Sequence, residues 1–257
     1  MNKNELVICG MAAVQTRFQR DAASIKRLFF DEPTARKIGH MCKALAAGRK
    51  VYRCVDTSEL ELISGTLHHG GIVAVVSAPQ LRAPLESEVA QWASGRVPLL
   101  ILDQVGNVHN LGALARTAAF FGVEHIILPF SPQAALPGEA AFRVAEGGLD
   151  HVTVWRVSYL DRFIRELVSV GYEVVGAATR GGKAETSNLP AERPVALVLG
   201  NEEQGLSPEV ASVCSRLVTL SGSGRVESLN VSVAGAILLW EFLGRNRRGL
   251  SSPTTPR

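Results

Sequence analysis

Leu197-Val198-Leu199-Gly200-Asn201-Glu202-Glu203-Gln204-Gly205-Leu206 is the stretch that decides the fold. Its uninterrupted apolar start reads as a strand buried on both faces, which is the habit of a parallel sheet. A glycine directly after such a strand marks the carboxyl edge of the sheet, where α/β folds hold their ligands. Ser207-Pro208 then starts a helix, so an ordinary strand-to-helix turn is the plainer reading of the same residues.

The neighbouring segments agree. From Val97 onward the pattern is strand–helix alternation: strands at Leu99 to Leu102, Ile126 to Leu128, Val174 to Ala177, Val195 to Leu199 and Leu217 to Leu220. Helices fall at Gly112 to Phe121, Leu160 to Val170 and Val231 to Leu243. The fold class is therefore α/β, a parallel sheet covered by helices on both faces. Residues 1–78 read as a separate small α/β unit, with strands at Leu6 to Cys9, Ile25 to Phe30, Val51 to Val55 and Ile72 to Val76. Its helices follow Gly10, span Thr34 to Ala47 and start at Thr57. Residues 79–96 carry Pro79 and Pro84 and form a linker with one short helix, Glu86 to Ala93; residues 97–246 are the larger domain, and the Arg-, Ser- and Pro-rich residues 247–257 are a flexible tail.

Composition narrows the function classes. Of 257 residues 46% are apolar, enough for a core, and no window approaches the roughly 18 uncharged apolar residues of a membrane span. Cys9, Cys42, Cys54 and Cys214 show no C-x-x-C spacing, which speaks against a metal site or disulfide framework and for reduced, mostly buried thiols in the cytoplasm. The net charge is only +3, yet the first 53 residues hold eleven Lys/Arg against four Asp/Glu, leaving sixteen against twenty for the rest. That one-sided charge is either a solvated face or a grip for a polyanion.

Two further stretches carry chemistry. Asn107-Val108-His109-Asn110-Leu111-Gly112-Ala113-Leu114-Ala115-Arg116 turns out of a strand and enters a helix that Asn110 would cap. Gly112, one turn before Arg116, would leave the guanidinium open to a ligand; a capped helix with a surface arginine is the alternative. Gly222-Ser223-Gly224 begins like a dinucleotide fingerprint, but Glu227 takes the third glycine's place and the downstream strand and acid are missing. No Rossmann site and no phosphate loop is present.

Taken in order, these residues resemble the SpoU/TrmH family of SPOUT RNA 2′-O-ribose methyltransferases. Asn107, Asn110, Gly112 and Arg116 match its Asn-x-x-Asn-x-Gly-x-x-x-Arg signature; Gly200, Glu202 and Gly205 match Gly-x-Glu-x-x-Gly; Ser228 to Ser232 match Ser-Leu-Asn-Val-Ser. The likeness spans about Val97 to Arg245, His68 to Ala74 is similar to the end of the family's small substrate-binding domain, and the whole looks most like the YfiF-like members.

The resemblance implies a SPOUT α/β-knot, its chain tied in a deep trefoil knot, and a homodimer whose sites are completed across the interface. It implies S-adenosylmethionine as methyl donor, lined by Ala177, Gly200, Asn201, Leu220 and Leu229, and needs no metal. Arg116 would be catalytic, either clamping phosphate and ribose hydroxyl or accepting the hydroxyl proton. Asn110 would orient Arg116 or the substrate, Glu202 and Asn230 would brace the loops, and Ser228 would hydrogen-bond near the substrate. The substrate would be structured RNA, rRNA or tRNA; a knotted RNA-binding protein of ribosome assembly without turnover is the rival. Leu238, Leu239, Trp240 and Phe242 would serve the dimer contact or the core alike. Two departures stand out: Leu220-Ser221-Gly222 where many relatives have Ile-Pro-Met, and Glu146 and Gly147 where relatives usually carry small residues.

Overall fold

Strand alternation explains the first sheet. The computed structural model describes residues 4–179 and 193–244, so the tail read at 247–257 lies outside the described residues. The small unit runs β1 (Glu5–Cys9), α1 (Met11–Asp21), β2 (Ile25–Phe30), α2 (Glu32–Ala35), α3 (Gly39–Ala47), β3 (Val51–Cys54), α4 (Thr57–Ser64) and β4 (Ile72–Ser77). The strands order as β1-β4-β2-β3, with β4 antiparallel to both neighbours and β2 parallel to β3. Odd and even residues of β4 point to opposite faces. Val73 and Val75 meet Leu60 of α4, while Ile72, Ala74 and Val76 meet Val14 of α1 and Met41 and Leu45 of α3.

The helix expected at Thr34 to Ala47 is broken in two. Asp31 caps α2 by accepting from the Thr34 backbone N–H at 2.9 Å, with Pro33 in the first turn, so Thr34 lies inside a helix that began two residues earlier. The chain turns at Arg36 to Ile38 and restarts at Gly39; of the apolar stripe expected at Ile38, Met41, Cys42 and Leu45, all but the partly exposed Cys42 are buried.

The larger unit runs α5 (Glu86–Ser94), β5 (Leu99–Leu102), α6 (Val108–Phe120), β6 (His125–Pro129), α7 (Glu139–Ala145), β7 (Thr153–Val157), α8 (Leu160–Ser169), β8 (Glu173–Ala177), β9 (Val195–Leu199), α9 (Pro208–Val213), β10 (Arg216–Val218) and α10 (Val231–Leu239). Its six strands are all parallel, in the order β10-β8-β9-β5-β6-β7. Neither α7 nor β7 was legible from pattern: α7 has seven residues, and β7 is an edge strand. The final helix stops being α at Leu239 and widens into a π turn over Trp240–Gly244. β10 ends at Val218 instead of Leu220, because it pairs only with β8, which ends at Ala177. None of the four cysteines is fully buried; Cys54 is exposed on edge strand β3, which corrects the expectation of mostly buried thiols.

The two units share one apolar core. Ile8, Val14 and Leu28 belong to the same buried cluster as Leu100, Leu114 and Phe142. Polar contacts fix the seam: the Val7 backbone N–H donates to Glu139 Oε1 (3.2 Å), and Arg17 pairs with Asp150 at 2.6 Å with both side chains almost wholly buried. The connector is anchored as well. Arg82 stacks on Trp155 (4.5 Å), grips Glu88 through two bonds and accepts from the Arg156 N–H, covering the open edge of β7.

Candidate active site

A pocket of about 690 Å³, mouth included, opens at the carboxyl ends of β8, β9 and β10. It lies where ligands of parallel α/β sheets bind. Ala177, Ala178 and Thr179 come from the end of β8, Leu199 to Glu202 from β9, Val218 to Leu220 from β10, and Glu227 to Leu229 from the segment before α10. All five residues assigned to the donor, Ala177, Gly200, Asn201, Leu220 and Leu229, stand on its wall. Thr179, Glu227 and Leu238 line it too and escaped the sequence reading. Thr179 could have been found by following the chain two residues past the strand end. Leu238 carried no signal beyond apolarity.

The floor is backbone against backbone. A Cβ on Gly200 would lie 2.2 Å from the Gly205 carbonyl carbon and 2.3 Å from the Leu206 nitrogen. Asn201 and Gly205 exchange N–H···O bonds of 2.9 Å, and the Asn201 side chain accepts from the N–H groups of Glu203 and Gln204 while donating to the Gln104 carbonyl. Buried Asp103 accepts from the Ser207 N–H at 2.7 Å, tying the far end of this loop to β5.

Glu202 is the junction. Its carboxylate accepts from the backbone N–H groups of Gly106 and Asn107 (both 3.1 Å) and from the Asn110 amide (2.9 Å). Burial pushes the carboxyl up, but the Asn110 and backbone bonds outweigh it and hold it below the ordinary glutamate value. Asn110 in turn accepts from the Asn230 amide at 3.1 Å, and Asn230 caps α10 by accepting from the Ser232 N–H. One residue from each of the three motifs is thus joined in a single hydrogen-bonded line.

Two expectations about α6 are corrected. Its cap is Asn107, which accepts from the His109 N–H at 2.8 Å; Asn110 sits inside the first turn, 7% exposed, with its side chain held by Glu202 and Asn230. The reason is that Glu202 fixes the loop one turn earlier. Gly112 does not clear a path to Arg116 either. A Cβ there would meet the Ala141 carbonyl at 2.6 Å and Val144 at 2.9 Å, so the glycine lets α6 and α7 touch.

Arg116 stands apart from this line. It is not on the pocket wall, lies six residues or roughly 9 Å along α6 from Asn110, and pairs with Glu146 through Nη2 and Oε2 at 3.0 Å. Ser228, by contrast, is on the wall, in an exposed loop. Among the described residues no group of three or more His, Cys, Asp or Glu is arranged to hold a metal, and no helix is long and apolar enough to cross a membrane.

Comparison with known proteins settles the family. The SpoU rRNA Methylase family matches residues 98–240, more than half of the chain, and residues 7–82 match the RNA 2′-O ribose methyltransferase substrate binding family. The chain belongs to the SpoU rRNA methylase family. Among its relatives is the uncharacterized tRNA/rRNA methyltransferase YfiF of Escherichia coli O157:H7, 33% identical over 95% of this chain and 69% of that protein. Another is the 23S rRNA (guanosine-2′-O-)-methyltransferase RlmB of Ralstonia nicotianae, 34% identical over 94% of this chain and 96% of that one. The AdoMet-bound rRNA methyltransferase of Sinorhizobium meliloti superposes with a TM-score of 0.77 at 25% identity, covering 97% of this chain and 89% of that one. The SpoU architecture, a parallel α/β sheet preceded by a small unit, is therefore common to this chain and its solved neighbour.

Proposed function

We propose that this chain transfers the methyl group of S-adenosylmethionine to a ribose 2′-hydroxyl of structured rRNA or tRNA, as a cytoplasmic homodimer knotted through its last strands. The observation that carries this reading is the line Asn230–Asn110–Glu202, which joins three motifs beside a pocket at the strand ends. The pocket suits the donor: its wall combines small and apolar residues such as Ala177, Leu199 and Leu229 with the polar groups of Thr179, Asn201, Glu202 and Glu227. When bound there, the donor supplies a sulfonium methyl group that needs no further activation.

The chain's own residues bind and orient. Ala177, Gly200, Asn201, Leu220 and Leu229 hold the donor; Glu202 and Asn230 brace the loops around it through Asn110; Ser228 hydrogen-bonds near the acceptor. Arg116 clamps phosphate and hydroxyl in line, the kind of positioning that contributes much of the rate of a two-substrate reaction. Arg116 is not on its own pocket wall, and in this reading a second copy brings it to a site. Exposed Val233, Ile237 and Trp240 on α10 and its π turn, beside exposed Phe120, offer the apolar contact surface. The basic small unit grips RNA by phosphate and shape, sequence entering little.

The test is transfer of labelled methyl from S-adenosylmethionine to RNA from cells lacking this protein. Label in an alkali-resistant dinucleotide, lost in Arg116→Ala, supports the reading. Absence of transfer by a folded, donor-binding wild type overturns it in favour of a non-catalytic RNA-binding protein of ribosome assembly.

A further inference from the structure

We propose that Glu146 is a positioning residue that fixes the Arg116 guanidinium for the RNA, an inference that rests on Arg116 being the group that holds substrate. Both side chains are more than half exposed, so their 3.0 Å contact contributes little to folding. The backbone that presents Glu146 is nevertheless strained. Glu146 ends α7 at φ 45, ψ 48, a left-handed conformation that side chains adopt at a cost and that helix ends usually assign to glycine. Two glycines follow, yet the strained position itself carries a carboxylate.

The segment is wedged in place. A Cβ on Gly147 would lie 2.7 Å from Thr16 Oγ1, and one on Gly148 would lie 2.6 Å from the Arg116 Cα. Glu146 is thus presented from a backbone clamped between α1 and the very turn of α6 that bears Arg116. The closest approach is between Nη2 and Oε2, and a guanidinium fork carries five N–H donors, more than one carboxylate takes up, so some remain for phosphate or hydroxyl. A carboxylate on one edge also keeps the guanidinium from swinging onto any passing phosphate.

The experiment compares wild type with E146Q, E146D and E146S in the full chain. Methyl transfer to RNA from cells lacking the protein gives kcat and KM, and arginine side-chain NMR reads the rotation of the Arg116 guanidinium without turnover. E146Q is expected to lower kcat at least tenfold with KM for RNA within twofold, E146D to recover part, and E146Q to change nothing in the R116A background. Guanidinium rotation, slowed in the wild type, should become fast in E146Q. Unchanged kcat, or a lower KM with kcat kept or raised, overturns the proposal and makes Glu146 a mere competitor of phosphate. A wild type that transfers no methyl sinks the functional reading instead, and the NMR comparison then decides the role of Glu146 alone.

Discussion

The side-chain amide of Asn110 donates to Oε1 of Glu202 at 2.9 Å, joining residues 92 positions apart. Through this bond the helix after β5 and the loop after β9 become one rigid platform beside the pocket.

Glu202→Gln tests the platform. An amide keeps one oxygen and puts an NH₂ in place of the other, so a donor faces either the Gly106 N–H or the Asn107 N–H and Asn110 amide. Chemical denaturation at neutral pH should show a loss of about 1–2 kcal/mol. Because the folded carboxyl titrates below its ordinary value, the stabilisation is present above the unfolded value and disappears as the pH falls through the folded one. The variant should lose less stability than the wild type on acidification.

Gly200→Ala tests the pocket floor. The added methyl collides with the Gly205 and Leu206 backbone, which has no flexible end to move aside. Overpacking of this kind costs about 1–3 kcal/mol. Calorimetric titration with S-adenosylmethionine should show affinity reduced about tenfold or more, with RNA binding by the small unit retained.

Asp150 ties the units together under tension. Burial pushes its carboxyl up to about 6 against the pull of Arg17. A folded value raised above the unfolded one means that the fold holds its proton more tightly, so this residue's contribution declines as the pH rises from about 4 to about 6. Urea unfolding across that range should show a slope that Asp150→Asn abolishes, on the order of 2 kcal/mol in total. At neutral pH Arg17→Ala strands the buried carboxylate and should cost about 3 kcal/mol.

Ile237→Glu places a charge in the exposed apolar stripe of α10. Light scattering should find the variant monomeric at micromolar concentration with an unchanged circular dichroism spectrum. A dimer that survives the charge would move the interface elsewhere.

RNA affinity should fall steeply with salt while donor affinity stays nearly level, since the small unit's basic residues displace counterions from phosphate. Filter binding at 50 and 200 mM salt checks this, and a flat response would remove the small unit from the RNA grip.

What was legible in the sequence was whatever local chemistry announces. Leu197 to Gly200 declared a buried parallel strand and the sheet edge at which a pocket opens; two of the three motifs line that pocket, and one residue of each joins a line of hydrogen bonds. What stayed hidden depended on distant partners. Asn107 and Asn110 are equally good caps by type, and only Glu202, far along the chain, decides between them. Gly112 looked like clearance because nothing local shows α7, a helix of seven residues, pressing on it. Arg36 to Ile38 looked helical because their stripe is genuine, although Asp31 had already started a helix upstream. Glu146 registered only as a departure from the family pattern, with no hint that it faces Arg116.

The sheet order has a consequence for how the protein is made. β9 sits between β5 and β8, so the apolar edge of β5 waits for a strand translated about ninety residues later. At an elongation rate of about 5–20 residues per second that is a gap of roughly 5–20 s. A nascent chain with β5, β6 and β7 paired presents Leu99 to Leu102 as a bare sticky ladder, a target for chaperones while it is still on the ribosome. The pocket at the strand ends, built from β8, β9, β10 and α10, closes last. A product truncated before Val195 therefore lacks β9, β10 and α10, and the methyl-donor site proposed there exists only once those elements have been made.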